Sequence, residues 1–247
     1  MKMSQVCDEK SMPISGHLTE LRRRILIVTA ILVLGTGVSL AFARSILHWL
    51  QVPLLKVLTE RSSFIALNPI EGWLVYFKVS LVSSLFITSP AWLYQLWAFV
   101  APAIERHRRR QLVGTVILSS FLFIGGGLTC YFLILPYGFG YLASILEHTD
   151  IVLMPQIRLY LSFMLRIMIA FGLIFQVPLL TVLLARWNIV SPKTLRRGRK
   201  YIIVFSFIAA AIITPPDVVT QIILALPLIL LFELSLFIAN LLTRKNC

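Results

Sequence analysis

Carboxylates are scarce in this chain: Asp and Glu number ten among 247 residues, beside 23 Lys and Arg and four His. So few acids, with no His-Glu-x-x-His run, no glycine-rich phosphate loop and no well-placed Ser/His/Asp set, leave little from which to build an active site. An enzyme is not expected, and neither is a cofactor or a metal. Cysteine is equally sparse. Cys7, Cys130 and Cys247 have the spacing of neither a zinc site nor a redox pair, so they read as free thiols. Charged residues make up only 13% of the chain, well under the roughly 25% of soluble globular domains.

What is abundant is hydrocarbon. Hydrophobic residues reach 58% and collect in runs over 25–43, 72–100, 112–135, 161–185, 201–213 and 218–242. Residues 25–43 carry no charge over nineteen positions, enough to cross a core of roughly 30 Å at about 1.5 Å per residue. The Arg22-Arg23-Arg24 cluster before that run and Ala41-Phe42-Ala43 at its end imitate a cleavable signal. The run is too long for one, and the rest of the chain is as apolar, so an uncleaved first span is expected. The sequence therefore predicts an all-α integral membrane protein, one domain over 1–247 with six transmembrane helices. The fifth and sixth spans are expected to be short. Thirteen residues in 201–213 rise only about 20 Å, which calls for a thinned bilayer or a re-entrant pair.

Charge orients the spans. Of the Lys and Arg, five precede Ile25, four (Arg106, Arg108, Arg109, Arg110) follow the second run, six lie between Arg186 and Lys200, and two close the chain. The opposite side holds four: Arg44, Lys56, Arg61 and Arg158. Basic residues stay in the cytoplasm, so both termini are expected there. The same asymmetry accounts for the net charge of +13 without nucleic acid as a partner.

Within this frame several polar residues stand out. Segment 44–71 is too polar to span, and 46–58 either lies along the membrane interface or forms a packed cap. Pro90 predicts a kink in the second span, Lys78 near that span's outer end can snorkel, and Pro136 ends the third run. Gly125-Gly126-Gly127 predicts close helix packing. Arg166 and Glu233 are opposite charges inside different spans; they either pair or sit near an interface and steady the bundle. Gln176 precedes Pro178, whose missing N–H frees a carbonyl; the Gln amide either satisfies that carbonyl or faces a hydrated groove. Asp217 is placed as an N-cap after Pro215-Pro216, with Thr214 and Gln221 flanking that turn.

Several motifs in order carry a resemblance across the whole chain. They are His17-Leu18-Thr19-Glu20-Leu21-Arg22, Tyr94-Gln95-Leu96-Trp97-Ala98-Phe99-Val100-Ala101-Pro102, Phe171-Gly172 with Phe175-Gln176-Val177-Pro178, and Arg199-Lys200-Tyr201 followed by Thr214-Pro215-Pro216-Asp217-Val218-Val219-Thr220-Gln221 and Phe232-Glu233. The sequence resembles the TatC family, the multispanning core subunit of the twin-arginine protein translocase. The resemblance implies a bacterial plasma (inner) membrane protein that binds twin-arginine signal peptides on its cytoplasmic face. With TatA- and TatB-like single-span partners and self-association in a larger complex, it would export folded proteins, driven by the proton-motive force. It implies a signal-peptide site at His17, Leu18, Glu20, Leu21, Arg22, Phe99, Pro102 and Glu105, and partner-helix docking at Thr214, Asp217 and Gln221. Two positions depart from the family pattern. Gln176 stands where the family usually has Glu, and Arg108 stands where it has Glu in the first cytoplasmic loop, which leaves Glu105 as the candidate replacement acid.

Overall fold

Proline decides where the helices of this protein break. The computed structural model describes residues 14–57, 63–100, 109–146, 154–186, 190, 192–213 and 218–244. In chain order the helices are α1 (Ile14–Ala41), α2 (Ala43–Leu55), α3 (Ile70–Ile87), α4 (Ser89–Val100), α5 (Arg109–Thr129), α6 (Leu135–Leu146), α7 (Ile157–Ile174), α8 (Val177–Arg186), α9 (Pro192–Arg197), α10 (Arg199–Ile213) and α11 (Val218–Arg244). Among the described residues there is no strand beyond one isolated parallel bridge, Ile65 to Gln156. Five segments are long and apolar enough to cross a membrane: Leu18–Ala41, Ile70–Ile87, Leu112–Ser144, Ile157–Ala185 and Val218–Ile238.

Three breaks share one construction. Pro90, Pro136 and Pro178 are each the second residue of α4, α6 and α8; at Pro90 and Pro178, where a fresh helix starts, a missing N–H costs least. Pro90 therefore does not bend a continuous span; the preceding helix closes at Thr88, whose hydroxyl returns to the Ser84 carbonyl at 2.7 Å. Pro136 does not end the third run. A π turn at Cys130–Ile134 leads directly into α6, and the chain stays helical to Leu146. The wider turn supplies the slack that a proline ring needs against the carbonyl one turn before it. The expected shortness of the last two spans holds for α10, at 15 residues. It does not hold for α11, which runs through Pro227 for 27 residues.

α2 is a packed cap. Its face of Leu50, Pro53 and Leu54 is buried on the bundle, while Trp49 stays 67% exposed. Pro53 cannot donate to the Trp49 carbonyl one turn back, and the Tyr131 hydroxyl donates to it instead at 2.6 Å. The Tyr160 hydroxyl donates to the next carbonyl, Leu50, at 2.9 Å. Beside this cap, buried Glu71 accepts from Gln156 Nε2 at 2.6 Å and from the Leu67 N–H at 3.3 Å. That carboxylate ties the start of α3 to the start of α7, where the backbones of Ile65, Pro155 and Ile157 also pair.

The bundle core follows from these ties. α5 packs between α4 and α7, α3 lies on α7, and α11 lies along α8 and α10. α1 joins the edge through α3, where Gly35 approaches Ser84 and the Ser84 hydroxyl donates to the Leu32 carbonyl at 3.1 Å. The triple glycine divides its work. A Cβ on Gly126 would stand 2.6 Å from the Phe171 carbonyl oxygen and 3.0 Å from the Gly172 Cα, Gly127 faces the Phe86 ring, and Gly125 faces open space.

Backbone cannot retreat as a side chain can, so Gly126→Ala is expected to lower stability by about 1–3 kcal/mol. Gly125→Ala should be neutral or slightly stabilising, since alanine is the better helix former. Thermal unfolding of the detergent-solubilised variants measures both. Equal loss at the two positions would contradict the close α5–α7 approach.

Candidate signal-peptide site and intramembrane polar network

At the basic end of the bundle, the first turns of α1 meet the last turn of α4. Glu20 and Arg24 are one helical turn apart and face the same way. Arg24 donates to Glu20 Oε1 through Nη2 at 2.6 Å and Nε at 3.0 Å. Its Nη1 then reaches α4, contacting Gln95 Oε1 at 3.2 Å and the Gln95 carbonyl at 3.4 Å. With side-chain exposures of 20% for Arg24 and 27% for Glu20, this pair is better shielded than an ordinary surface i,i+4 bridge and joins two helices. Phe99, half-buried, lies one turn beyond Gln95 on the same face of α4.

Other residues expected at this site are distributed around it. His17 belongs to α1; Leu18 and Arg22 are exposed and Leu21 is half-buried. Pro102 and Glu105 lie outside the described residues, as do Thr214 and Asp217. Arg24 and Gln95 were not anticipated from the sequence. The spacing Glu20 to Arg24 was a readable signal for the ion pair, whereas Gln95 required knowing that α4 crosses α1.

Gln176 resolves differently from both expectations. It is 8% exposed, in the turn between α7 and α8. Its amide neither serves the carbonyl freed by Pro178 nor faces a groove. Gln176 Nε2 donates to the Ser119 carbonyl at 2.9 Å, and Gln176 Oε1 accepts from the Ser119 hydroxyl at 2.6 Å. Ser119 Oγ in turn accepts from Trp97 Nε1 at 3.1 Å. Three buried side chains thus join α4, α5 and the α7–α8 turn with donors and acceptors matched, the condition under which a buried polar network stabilises.

Arg166 and Glu233 do not pair. Glu233 Oε2 instead meets Arg199 Nη2 at 2.9 Å, across the α10–α11 hairpin, with side-chain exposures of 42% and 50%. Arg199 opens α10 and is thus brought beside the Glu233 face of the antiparallel α11, while Arg166 on α7 is exposed. Gln221 also works within the hairpin: its Nε2 donates to the Phe207 carbonyl at 2.8 Å. Among the described residues no cluster of three or more His, Cys, Asp or Glu is placed to hold a metal.

Long apolar helices broken at proline, a buried polar junction and a charged basic end define a multi-pass helical membrane protein. Residues 16–227 match the family described as Sec-independent protein translocase protein (TatC). The chain is 37% identical over 237 residues to the Sec-independent protein translocase protein TatC of Aquifex aeolicus, covering 95% of this chain and 98% of that one. It is 37% identical over 239 residues to the Escherichia coli protein of the same name, covering 96% and 92%. A crystal structure of the twin arginine translocase receptor TatC superposes with TM-score 0.83 at 36% identity, covering 92% of this chain and 100% of that one. The chain belongs to the TatC family, and its role is that of the core subunit of the Sec-independent, twin-arginine protein translocase.

The Gln176 network makes a direct prediction. Gln176→Leu removes the acceptor of the Ser119 hydroxyl proton and the side-chain donor to the Ser119 carbonyl, and should lower thermal stability by about 1–3 kcal/mol. Gln176→Glu should cost less, because a neutral carboxyl reproduces one donor and one acceptor. Unfolding measurements that place both variants level with the parent would show that Ser119 and Trp97 hold the junction without Gln176.

Proposed function

We propose that the basic end of this chain is the docking site for twin-arginine signal peptides, with the Glu20 carboxylate as the contact for a signal arginine. The observation that carries this reading is that Glu20 already binds a guanidinium: both Arg24 contacts fall on Oε1. The second oxygen, Oε2, is then the atom that an incoming arginine addresses, accepting a charge-assisted hydrogen bond from its guanidinium. The half-buried Phe99, one turn beyond Gln95 on α4, offers apolar surface for the peptide's hydrophobic segment, and the exposed Leu18 extends it around α1. His17, Leu21, Arg22, Pro102 and Glu105 complete the proposed site in sequence. The solved relative, a twin arginine translocase receptor, agrees with this role.

In the same reading the chain spans the bacterial plasma membrane six times, with both termini cytoplasmic and α10 as the short fifth crossing. TatA- and TatB-like single-span helices dock at the α10–α11 turn through Thr214, Asp217 and Gln221. One Gln221 amide N–H is committed to the Phe207 carbonyl, which leaves the second N–H and the amide oxygen for a partner. Further copies of the chain assemble with it, and the proton-motive force drives export. Six helices, each about 10 Å wide, are too few to enclose a folded passenger, which is why the chain needs partners.

A charge-assisted hydrogen bond is worth about 1.5–3 kcal/mol, so Glu20→Gln should weaken binding of a twin-arginine peptide by roughly 10–100-fold. It should also bring the affinity close to that of a Lys-Lys peptide. Crosslinking or fluorescence titration with both peptides measures this, and a Glu20→Gln variant that still prefers Arg-Arg would remove Glu20 from the site. For topology, a membrane-impermeant thiol reagent added to intact cells lacking other reactive cysteines should label Ser63→Cys and spare Arg197→Cys. Labelling in the reverse pattern would invert the chain.

A further inference from the structure

One side of α7 carries a line of hydrogen-bond donors that the functions above leave unused. Arg158, Ser162 and Arg166 follow one another at intervals of four residues and so share a face. Lys78 of α3 joins them, its Nζ donating to Ser162 Oγ at 3.0 Å. All three cations are exposed. The carboxylates among the described residues are engaged elsewhere: Glu20 with Arg24, Glu71 with Gln156 and Leu67, and Glu233 with Arg199.

The chemistry of this cluster is one-sided. Arg and Lys are donors only, and the Ser162 oxygen is occupied by Lys78, which leaves its hydroxyl proton for an outside acceptor. Other hydroxyls in the spans, such as Ser120 and Thr129, return their proton to the carbonyl four residues back; Ser162 is held by Lys78 instead. Arg158 is the second residue of α7, at the end of the span. Arg166 lies about 12 Å deeper along the axis. Helical side chains lean toward the helix N-terminus, so the long Arg166 side chain is carried back toward the level of Ser162 and Lys78. The Lys78–Ser162 pair thus lies between Arg158 and Arg166 on one face of α7 toward its Ile157 end, in a span where unpaired charge is expensive.

We infer that Arg158, Lys78, Ser162 and Arg166 form a binding site for the phosphate of an anionic phospholipid headgroup, drawn from the leaflet that faces the Ile157 end of α7. A phosphodiester offers several acceptor oxygens and a negative charge at the depth where the line of donors begins. A single carboxylate on a partner helix offers two oxygens and would have to be buried at the level of Arg166. The site is separate from the signal-peptide site at the start of α1 and does not depend on it.

The test is lipid retention by the full-length chain, purified in detergent after equilibration with equimolar phosphatidylglycerol and phosphatidylcholine, and read by native mass spectrometry. The parent should retain phosphatidylglycerol preferentially. Each cation near a membrane surface is worth about fivefold in binding an anionic lipid, so Arg166→Gln alone should lower the enrichment about fivefold. The triple variant K78Q/R158Q/R166Q should bring it to parity. Arg44→Gln, an exposed charge of α2 outside the cluster, should leave it unchanged, and excess inorganic phosphate should not remove it. Thermal unfolding identifies any variant that fails to fold, in which case the single Arg166 substitution decides. No enrichment in the parent, full enrichment in folded Arg166→Gln, or equal loss in Arg44→Gln would each overturn the site. Loss of enrichment on adding inorganic phosphate would assign the cluster to free phosphate and overturn the lipid.

Discussion

A proline inside a hydrocarbon layer leaves a carbonyl that water cannot reach, and this chain has to accommodate that in three of its long apolar segments and at the end of a fourth. Its solution is positional. Pro90 and Pro178 are placed one residue into a fresh helix, so the missing donor falls among the N–H groups that have no intrahelical partner anyway, and Pro136 follows directly on a π turn. Where that placement is not available, as at Pro53 in the cap helix, a tyrosine supplies the donor: Tyr131 to Trp49, with Tyr160 to Leu50 beside it. The breaks then fix the shape. Beyond the break at Thr88, α4 packs on α1 and α5, and beyond the turn at Gln176, α8 packs on α11.

The same constraint explains what the sequence made legible. Apolar runs and the distribution of Lys and Arg are averages over many residues, and they marked the all-helical membrane architecture and the shortness of α10. The breaks depend on single residues in context. Pro136 reads as a stop signal unless the π turn before it is known, and a π turn has no sequence signature. In the sequence Arg166 and Glu233 read either as partners or as interface charges that steady the bundle; the partner of Glu233 is Arg199, which in the sequence belongs to a basic loop. The antiparallel α10–α11 hairpin, not the charge pattern, brings those two together.

At the basic end, the decisive residues were half visible. Glu20 was singled out because carboxylates are scarce and guanidinium ligands need them. Arg24 was counted only as positive charge that orients the first span. Its fork does more, holding the carboxylate on one side and α4 on the other through Gln95. A long-range contact such as Arg24 to Gln95, 71 positions apart, leaves no local periodicity from which to read it. Ion pairs one helical turn apart contribute about 0.2–0.5 kcal/mol, so the contact matters more for where it sets Glu20 than for the stability it adds.

α4 connects that site to the interior. Gln95 and Phe99 face α1, while Trp97, between them in sequence, turns inward and donates to Ser119, which is bonded to Gln176. The junction is built from an indole, a hydroxyl and an amide, none of which gains or loses a proton over the physiological range. Its donors and acceptors are therefore the same at any pH at which the chain is folded. A carboxyl group in place of the Gln176 amide would donate to the Ser119 carbonyl only while it carried its proton, and would set two acceptor oxygens against each other once it lost it. With the amide, the bond between the site-bearing helix and the α7–α8 turn is indifferent to protons. Any response of this subunit to a proton gradient must enter through other groups.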